Sequence, residues 1–413
     1  MMPPTGEQLN VAIACGGTGG HLFPGLAVAD QLARQGAAIT LMVSNKEIDQ
    51  VASKSATGIR LVTLPAVGLT RGQIFSFLNG FVGSYRIAAA AFAQHPPQAV
   101  LAMGGFTSAP PILAARRLGA ATFLHESNSI PGRANRWLSW VVERAFVGFA
   151  GAAERLHNRH VSVTGTPVRD QFKSLDQRAC RTALNLDGAR PVALVMGGSQ
   201  GAHGINELIL KSLELIARRV PDWQWLHLAG AADVAVLEQA YQRAGLTARV
   251  YPFLADMDLA LGAATAAVSR AGASSLAELA AVRLPSVLVP FPAATDNHQF
   301  HNARAFVETG AARLLEQRSA RPQEFVELLV ELMCNQESRR ALQQALATWH
   351  KPQAAEQIAQ AILERIRSGS RSKTLSLARG KTAADKRTGT DQARLSQAKD
   401  STGSSARMQT AVL

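Results

Sequence analysis

The sequence predicts an α/β protein made of two nucleotide-binding-type units, each a parallel sheet flanked by helices, with a cleft between them. Three observations carry that expectation. Strand-like and helix-like segments alternate along almost the whole chain, as in repeated βαβ units. Two glycine-rich turns, Gly16-Gly17-Thr18-Gly19-Gly20-His21 and Gly197-Gly198-Ser199-Gln200-Gly201, each follow an apolar run and open a helix-like stretch. Such a turn aims backbone N–H groups and the positive end of a helix dipole at an anion. Finally, 413 residues exceed one ordinary core and fit two.

In the first half, strands are expected at Val11–Cys15, Ile39–Val43, Ala99–Met103, Ala121–Leu124 and Ala145–Gly148. In the second half they are expected at Val192–Met196, Trp225–Ala229, Val250–Phe253, Ala267–Ser269 and Ser286–Pro290. The turn-rich Thr164-Gly165-Thr166-Pro167 marks the boundary between a domain of residues 1–166 and one of 167–351. Ala355, Ile358, Ala359, Ile362, Leu363 and Ile366 recur at helical spacing, so a last helix is expected over 352–366. Residues 367–413 hold ten Lys/Arg against three Asp, are rich in Ser, Thr, Gly and Ala, and lack apolar periodicity. They read as a disordered basic tail.

Composition narrows the function. Hydrophobic residues at 47% and charged residues at 18% fit a globular chain. No apolar run reaches the roughly 18–20 residues needed to cross a bilayer, and Met1-Met2-Pro3-Pro4-Thr5-Gly6 lacks the features of an export signal. Cys15, Cys180 and Cys334 are isolated, which argues against structural zinc or a disulfide framework. The net charge of +13 could suggest nucleic acid, but the tail alone contributes +7, so no nucleic-acid partner is expected.

The first glycine turn is a poor dinucleotide fingerprint. Leu22 stands where the third glycine belongs, and the second strand ends in Ser44-Asn45 with no ribose-binding acid. Neither turn is followed by the Gly-Lys-Ser/Thr of a phosphate-binding P-loop. The turn does supply His21 at a helix start, where the dipole disfavours the imidazolium and leaves a neutral ring able to accept a proton; local capping or packing is the alternative. In the second half, Gly272-Ala273-Ser274-Ser275-Leu276-Ala277-Glu278 follows a strand and begins a helix. Its first amides and serines suit phosphate, and Glu278 suits the two hydroxyls of a ribose; a capping box of Ser275 with Glu278 fits equally. Pro290-Phe291-Pro292-Ala293-Ala294-Thr295-Asp296-Asn297-His298-Gln299 is a polar loop suited to sugar hydroxyls, or a solvated loop with an Asp or Asn cap. Asp256-Met257-Asp258 spells a metal-binding D-x-D, but its position between strand and helix favours Asp256 as a cap.

Together these blocks resemble the MurG family, UDP-N-acetylglucosamine: N-acetylmuramyl-pentapeptide pyrophosphoryl-undecaprenol N-acetylglucosaminyltransferases. The resemblance covers roughly residues 10–366. It runs in order through Gly16 to Ala27, Met103 to Ser108, His125-Glu126-Ser127-Asn128, Gly165 to Arg169, Gly197 to Ala202, Phe253 to Met257, Gly272 to Glu278 and Asp296 to Gln299. It departs from the family pattern at Phe106, Ala109 and Ser127.

The resemblance implies a GT-B fold whose last helix returns to the first domain. It implies an inverting transfer of GlcNAc from UDP-GlcNAc to the 4-hydroxyl of MurNAc in lipid I, giving lipid II, with no metal or other cofactor. Backbone near Leu254 would hold uracil and Glu278 the ribose. Arg169, Ser199 and the helix start Ala273–Ser275, continuing through Leu276 and Ala277, would hold the diphosphate. Gln299 with His298 and Asn128 would read the sugar, and Thr18, Gly19 and Gly20 would close over the donor. His21 is the expected base that takes the acceptor proton, with Glu126 in reserve. A lipid acceptor implies peripheral attachment at the cytoplasmic face of the inner membrane, beside other wall-synthesis proteins. Ile74, Phe75, Phe77, Leu78, Phe81 and Tyr85, edged by Arg71, Arg86 and Arg116-Arg117, form the expected patch on anionic lipid, a buried helix being the alternative. Two other readings share the donor loops. One is an enzyme with a soluble acceptor, or one that epimerises a UDP-sugar; the other is a nucleotide-sugar sensor without turnover.

Overall fold

A computed structural model describes residues 8–16, 19–44, 58–65, 74–173, 175–198 and 203–369. The chain divides into two compact units, Met1–Ile362 and Leu363–Leu413. All sheets and all site residues lie in the first; the described part of the second, 363–369, is helical. Of the basic tail, 370–413 lie outside the described residues, as do Thr18, Arg71 and Ser199.

The first sheet holds β1 (Asn10–Cys15), β2 (Ala38–Ser44), β3 (Ile59–Leu64), β4 (Ala99–Gly104), β5 (Ala121–Glu126), β6 (Arg144–Val147) and β7 (Val161–Val163). Its order is β3-β2-β1-β4-β5-β6-β7. The second holds β8 (Val192–Met196), β9 (Gln224–Leu228), β10 (Thr247–Tyr251), β11 (Ala266–Ser269), β12 (Ser286–Leu288) and β13 (Arg313–Leu314), ordered β10-β9-β8-β11-β12-β13. Every pairing is parallel. Each order reverses once, between β1 and β4 and between β8 and β11. Doubly wound sheets open a crevice at such a switch point, beyond the carboxyl ends of the strands. Both glycine turns leave strands that border a switch point.

The sequence explains which strands sit where. β4 and β5 are buried along their whole length, because helices cover both faces of a parallel sheet. All ten expected strands are present. Three others, β3, β7 and β13, were not expected. They are edge strands, and β7 and β13 are only three and two residues long. The strand expected at Val250–Phe253 is instead Thr247–Tyr251, so Phe253 and Leu254 lie in the following loop.

One apolar cluster runs through both halves, from Ala12 and Leu124 to Leu288 and Leu346. Its aromatic seam joins Phe149 to Trp349 at 5.3 Å between ring centroids, and Phe306 to Trp349 at 4.2 Å. Offset aromatic contacts of this kind add to simple area burial. The helix over 354–362 buries Ala354, Ala355, Ile358, Ala359 and Ile362.

Candidate active site

On the first-half side the strand ends are closed by backbone packed on backbone. Gly105, at φ +78°, lies so near Gly16 that a Cβ would meet the Gly16 carbonyl oxygen at 2.6 Å; a Cβ on Gly16 would meet Thr107 at 2.6 Å. The Ser108 hydroxyl ties the two turns further, donating to the Ala14 carbonyl at 3.0 Å. His21 lies in the first turn of the helix Gly19–Arg34, with its ring against Gly104, where a Cβ would meet Cε1 at 2.6 Å. Its Nδ1 is enclosed without a hydrogen-bond partner. Burial holds the imidazole below the usual histidine range, against the Glu126 carboxylate and a backbone contact at Met103, while His298 adds to the depression. Burial thus favours the neutral ring of His21, whose charge feels Glu126 and His298 in opposite senses.

Glu126 is a different kind of residue. It is 1% exposed, and four donors occupy its two oxygens: Asn128 N at 2.8 Å, Asn128 Nδ2 at 3.2 Å, Gly132 N at 3.0 Å and Asn135 Nδ2 at 2.8 Å. A carboxylate with both oxygens so engaged is a brace for the 127–132 loop, and this geometry leaves it no lone pair directed at an acceptor. Glu126, expected as the reserve base, thus has both oxygens engaged by protein donors. The neighbouring His125 is fully buried and pushed down to about 4 by burial; its Nε2–H donates to the Gly165 carbonyl at 3.1 Å and its Nδ1 accepts from Ser127 Oγ at 3.2 Å.

The second-half side brings a helix start to an arginine–glutamate pair. Gly272 is the N-cap of the helix Ala273–Ala281, so the amides of Ala273, Ser274 and Ser275 have no intrahelical partner. Ser275 and Glu278 both lie inside this helix, which overturns the capping-box alternative. The Leu276 side chain is core at 1% exposure, so only its backbone can reach a ligand; Ala277 is half-buried. Arg169 lies beside Glu278 at 3.8 Å, with its guanidinium 4.4 Å from the Phe23 ring centroid and 5.3 Å from that of Phe172. Its Nε and Nη2 are buried and make no hydrogen bond. Burial lowers its pKa while Glu278 and Asp258 pull the other way. Guanidinium N–H groups buried unpaired are costly, and an anion would satisfy them.

Ser274 shows how the halves meet. Its hydroxyl donates to the Gly20 carbonyl at 2.7 Å. Pro24 sits inside the helix Gly19–Arg34 and has no N–H to give the carbonyl four residues earlier, which is that of Gly20. The proline thus frees the acceptor that Ser274 uses. In the loop after β12, Asp296 and Asn297 both have left-handed backbones, at φ +51° and +52°. Asn297 occupies the N-cap of His298–Glu308 without a side-chain cap, and Asp296 pairs instead with Arg133 at 3.7 Å and Arg136 at 3.6 Å. His298 Nδ1–H donates to the Thr295 carbonyl at 2.7 Å, and Gln299 Oε1 accepts from Phe291 N at 3.0 Å. Leu254 is half-buried in the loop after β10. Asp256 takes the N-cap position of Met257–Ala263 without a side-chain cap, while Asp258 accepts from Gln171 Nε2 at 2.7 Å.

Sequence reasoning passed over Arg270 and Asn302. Arg270, 6% exposed at the end of β11, donates to the carbonyls of Val289 at 2.9 Å and Pro290 at 3.2 Å, and burial lowers its pKa to about 10. An arginine directly before the Ala-Gly of a strand-to-helix turn was the available signal. Asn302 had none.

The expected membrane patch divides. On the helix Ile74–Gln94, Phe75 is 84% and Leu78 49% exposed, joined by Val82 at 46%. Phe77, Phe81 and Tyr85, spaced four apart, are half-buried on the other face, with Phe81 and Tyr85 against the core and Phe77 edge-on to Phe106 at 5.5 Å. Of Ile74 only the backbone is described. The helix is apolar on both faces, which the residue pattern did not resolve into inner and outer rows. No described helix is long and apolar enough to cross a membrane.

Comparison with known proteins bears directly on this geometry. Residues 11–147 match the glycosyltransferase family 28 N-terminal domain, and residues 192–360 match the family 28 C-terminal domain. The chain belongs to glycosyltransferase family 28. Within that family it is 38% identical to the UDP-N-acetylglucosamine--N-acetylmuramyl-(pentapeptide) pyrophosphoryl-undecaprenol N-acetylglucosamine transferase of Xanthomonas euvesicatoria pv. vesicatoria, covering 89% of this chain and 84% of that one. The enzyme of the same name from Anaeromyxobacter dehalogenans is 34% identical, covering 87% and 94%. Among solved structures, Acinetobacter baumannii MurG aligns with a TM-score of 0.66 and 27% identity over 86% of this chain and 99% of that one. A UDP-GlcNAc 2-epimerase from Neisseria meningitidis aligns with a TM-score of 0.63 at 14% identity over 86% and 100%, a likeness of fold alone. The MurG resemblance and the GT-B fold are thereby shown.

Proposed function

We propose that this family 28 chain is an inverting hexosyltransferase that moves GlcNAc from UDP-GlcNAc to the 4-hydroxyl of MurNAc in lipid I, giving lipid II for peptidoglycan. The observation that carries the reading is Arg169: its buried Nε and Nη2 make no hydrogen bond, and Nη2 lies 3.8 Å from the Glu278 carboxylate. An anion next to a group that takes vicinal hydroxyls is the pattern of a nucleoside diphosphate. The names and identities of the relatives support the donor and the acceptor.

In this mechanism Glu278 accepts from the ribose, and backbone near Leu254 meets uracil. The diphosphate lies against Arg169, the first-turn amides of Ala273–Ser275 and the turn that carries Ser199. Asn128, His298 and Gln299 read the sugar, while the Thr18–Gly20 lip covers it. His21 accepts the proton of the acceptor 4-hydroxyl as that oxygen attacks the anomeric carbon. The bond from that carbon to the diphosphate oxygen breaks, and its electron pair leaves with UDP. The guanidinium and helix amides stabilise the charge that develops there. Burial keeps His21 neutral and ready at pH 7.

The outer row Phe75, Leu78 and Val82, with the exposed Arg86 on the same helix, would meet the anionic cytoplasmic leaflet as a peripheral contact, near other wall-synthesis proteins. A transfer assay with UDP-GlcNAc and a lipid I analogue, with UDP release measured in parallel without acceptor, tests the reading. Disaccharide product and acceptor-dependent UDP release are expected. An epimerised UDP-sugar, or binding without turnover, would contradict it.

A further inference from the structure

Asn302, on the second-half helix His298–Glu308 and 0% exposed, is a polar side chain that bonds to both halves. Its Oδ1 accepts from Ser129 N at 2.9 Å and Ser129 Oγ at 3.0 Å. Its Nδ2 donates to Asn128 Oδ1 at 3.0 Å and to the Ala271 carbonyl at 3.2 Å. All four positions of one carboxamide are in use. The orientation of the amide follows from its backbone partners, since an N–H can only donate and a carbonyl only accept. Asn302 then presents a donor to Asn128, which must answer with Oδ1. The Asn128 Nδ2 is thereby turned toward the Glu126 carboxylate, which only accepts, at 3.2 Å.

We infer that Asn302 is a positioning residue that, from the second half, orients Asn128 for the donor sugar. The inference rests on the proposed reading of the donor as a UDP-linked sugar. Asn302 follows Gln299 by three residues, so the helix that carries one proposed sugar-reading side chain also sets another across the cleft. Aspartate in its place keeps the shape but offers no donor, and sets like-signed oxygen dipoles against Asn128 Oδ1 and the Ala271 carbonyl.

The test is calorimetric titration of UDP and UDP-GlcNAc into the full chain, for wild type, Asn302→Asp, Asn128→Ala and the double variant. The expected result is UDP affinity within about twofold of wild type in all three variants, with UDP-GlcNAc weakened about tenfold or more in each single variant. The double variant should be no weaker than Asn128→Ala, because Asn302 acts through Asn128. Equal weakening of both ligands, multiplicative losses in the double variant, or wild-type behaviour of Asn302→Asp would each overturn the inference. A wild-type chain that binds neither nucleotide would remove the donor reading, and this inference with it. Ser129→Ala deletes one hydroxyl from the same carboxamide and is a milder probe should Asn302→Asp not fold. It should weaken UDP-GlcNAc relative to UDP about threefold, and an unchanged ratio would count against the inference.

Discussion

The two glycine turns leave equivalent strands of equivalent sheets, yet their surroundings are opposite. Around Gly16, Gly104 and Gly105 there is no room: a Cβ at each would collide with backbone or a packed side chain. At Gly198 a Cβ would have nothing within 4 Å, and at Gly272 its nearest neighbour would be Ser275 Oγ at 3.8 Å. The titratable groups differ in the same sense. The first half buries His21 and His125 neutral and engages both oxygens of Glu126, whereas the second half presents cations and unpaired donors. Glycine thus serves close packing around His21 in the first half, whereas in the second Gly272 faces open space and Gly198 holds a left-handed backbone at φ +90°. A single topology, built twice, carries two chemistries because the side chains at the switch points differ.

Removing the base should have the largest effect. His21→Ala should lower kcat for transfer by about 10²–10⁴-fold with little change in donor KM, as loss of a general base does. In wild type, kcat/KM should be flat near neutral pH and fall on acidification, at a pH below the usual histidine range because burial depresses the His21 pKa. Steady-state kinetics across pH checks both.

Stability should respond to acid through His125. Its pKa is about 4 in the folded chain against 6.5 for the free side chain, so below 6.5 the unfolded state binds the extra proton. Stability is therefore intact at pH 7 and falls as the pH drops through 6.5 toward 4, by about 3 kcal/mol from this residue. Denaturant unfolding over that range measures the slope, and His125→Gln should flatten part of it.

The packing contrast can be tested directly. Gly105→Ala should cost about 2–4 kcal/mol, combining a left-handed backbone with a collision at the Gly16 carbonyl. Gly272→Ala, with an ordinary backbone and open space, should cost about 1 kcal/mol or less. Comparable losses at the two sites would end the distinction. The smallest effect is expected at the surface: Phe75→Ser should leave unfolding unchanged and weaken binding to anionic liposomes about tenfold, while Phe81→Ser should mainly reduce stability.

Much of the fold was legible because buried parallel strands leave unbroken apolar runs, as at Ala99–Met103 and Val192–Met196. The edge strands β3, β7 and β13 were not, since they are half-exposed or too short to set up a period. At the site, residues inside recognisable turns, such as His21 and Glu278, could be named in advance, and Arg169 through the family resemblance. Asn302 could not, because its role arises from Asn128 and Ser129, more than 170 positions away. The partners of Glu126 could not be named for the same reason: its donors come from a loop whose path the sequence does not show. The helix over 74–94 was visible as apolar, but which row faces inward depends on Phe106 and the core beneath it.

The division of labour between the halves is tested most directly by measuring UDP affinity in His21→Ala and Arg169→Ala beside the turnover of each. The account predicts that His21→Ala binds UDP like wild type while losing turnover, and that Arg169→Ala loses UDP affinity by about tenfold or more. Equal loss of UDP affinity in both variants, or undiminished UDP binding by Arg169→Ala, would contradict it.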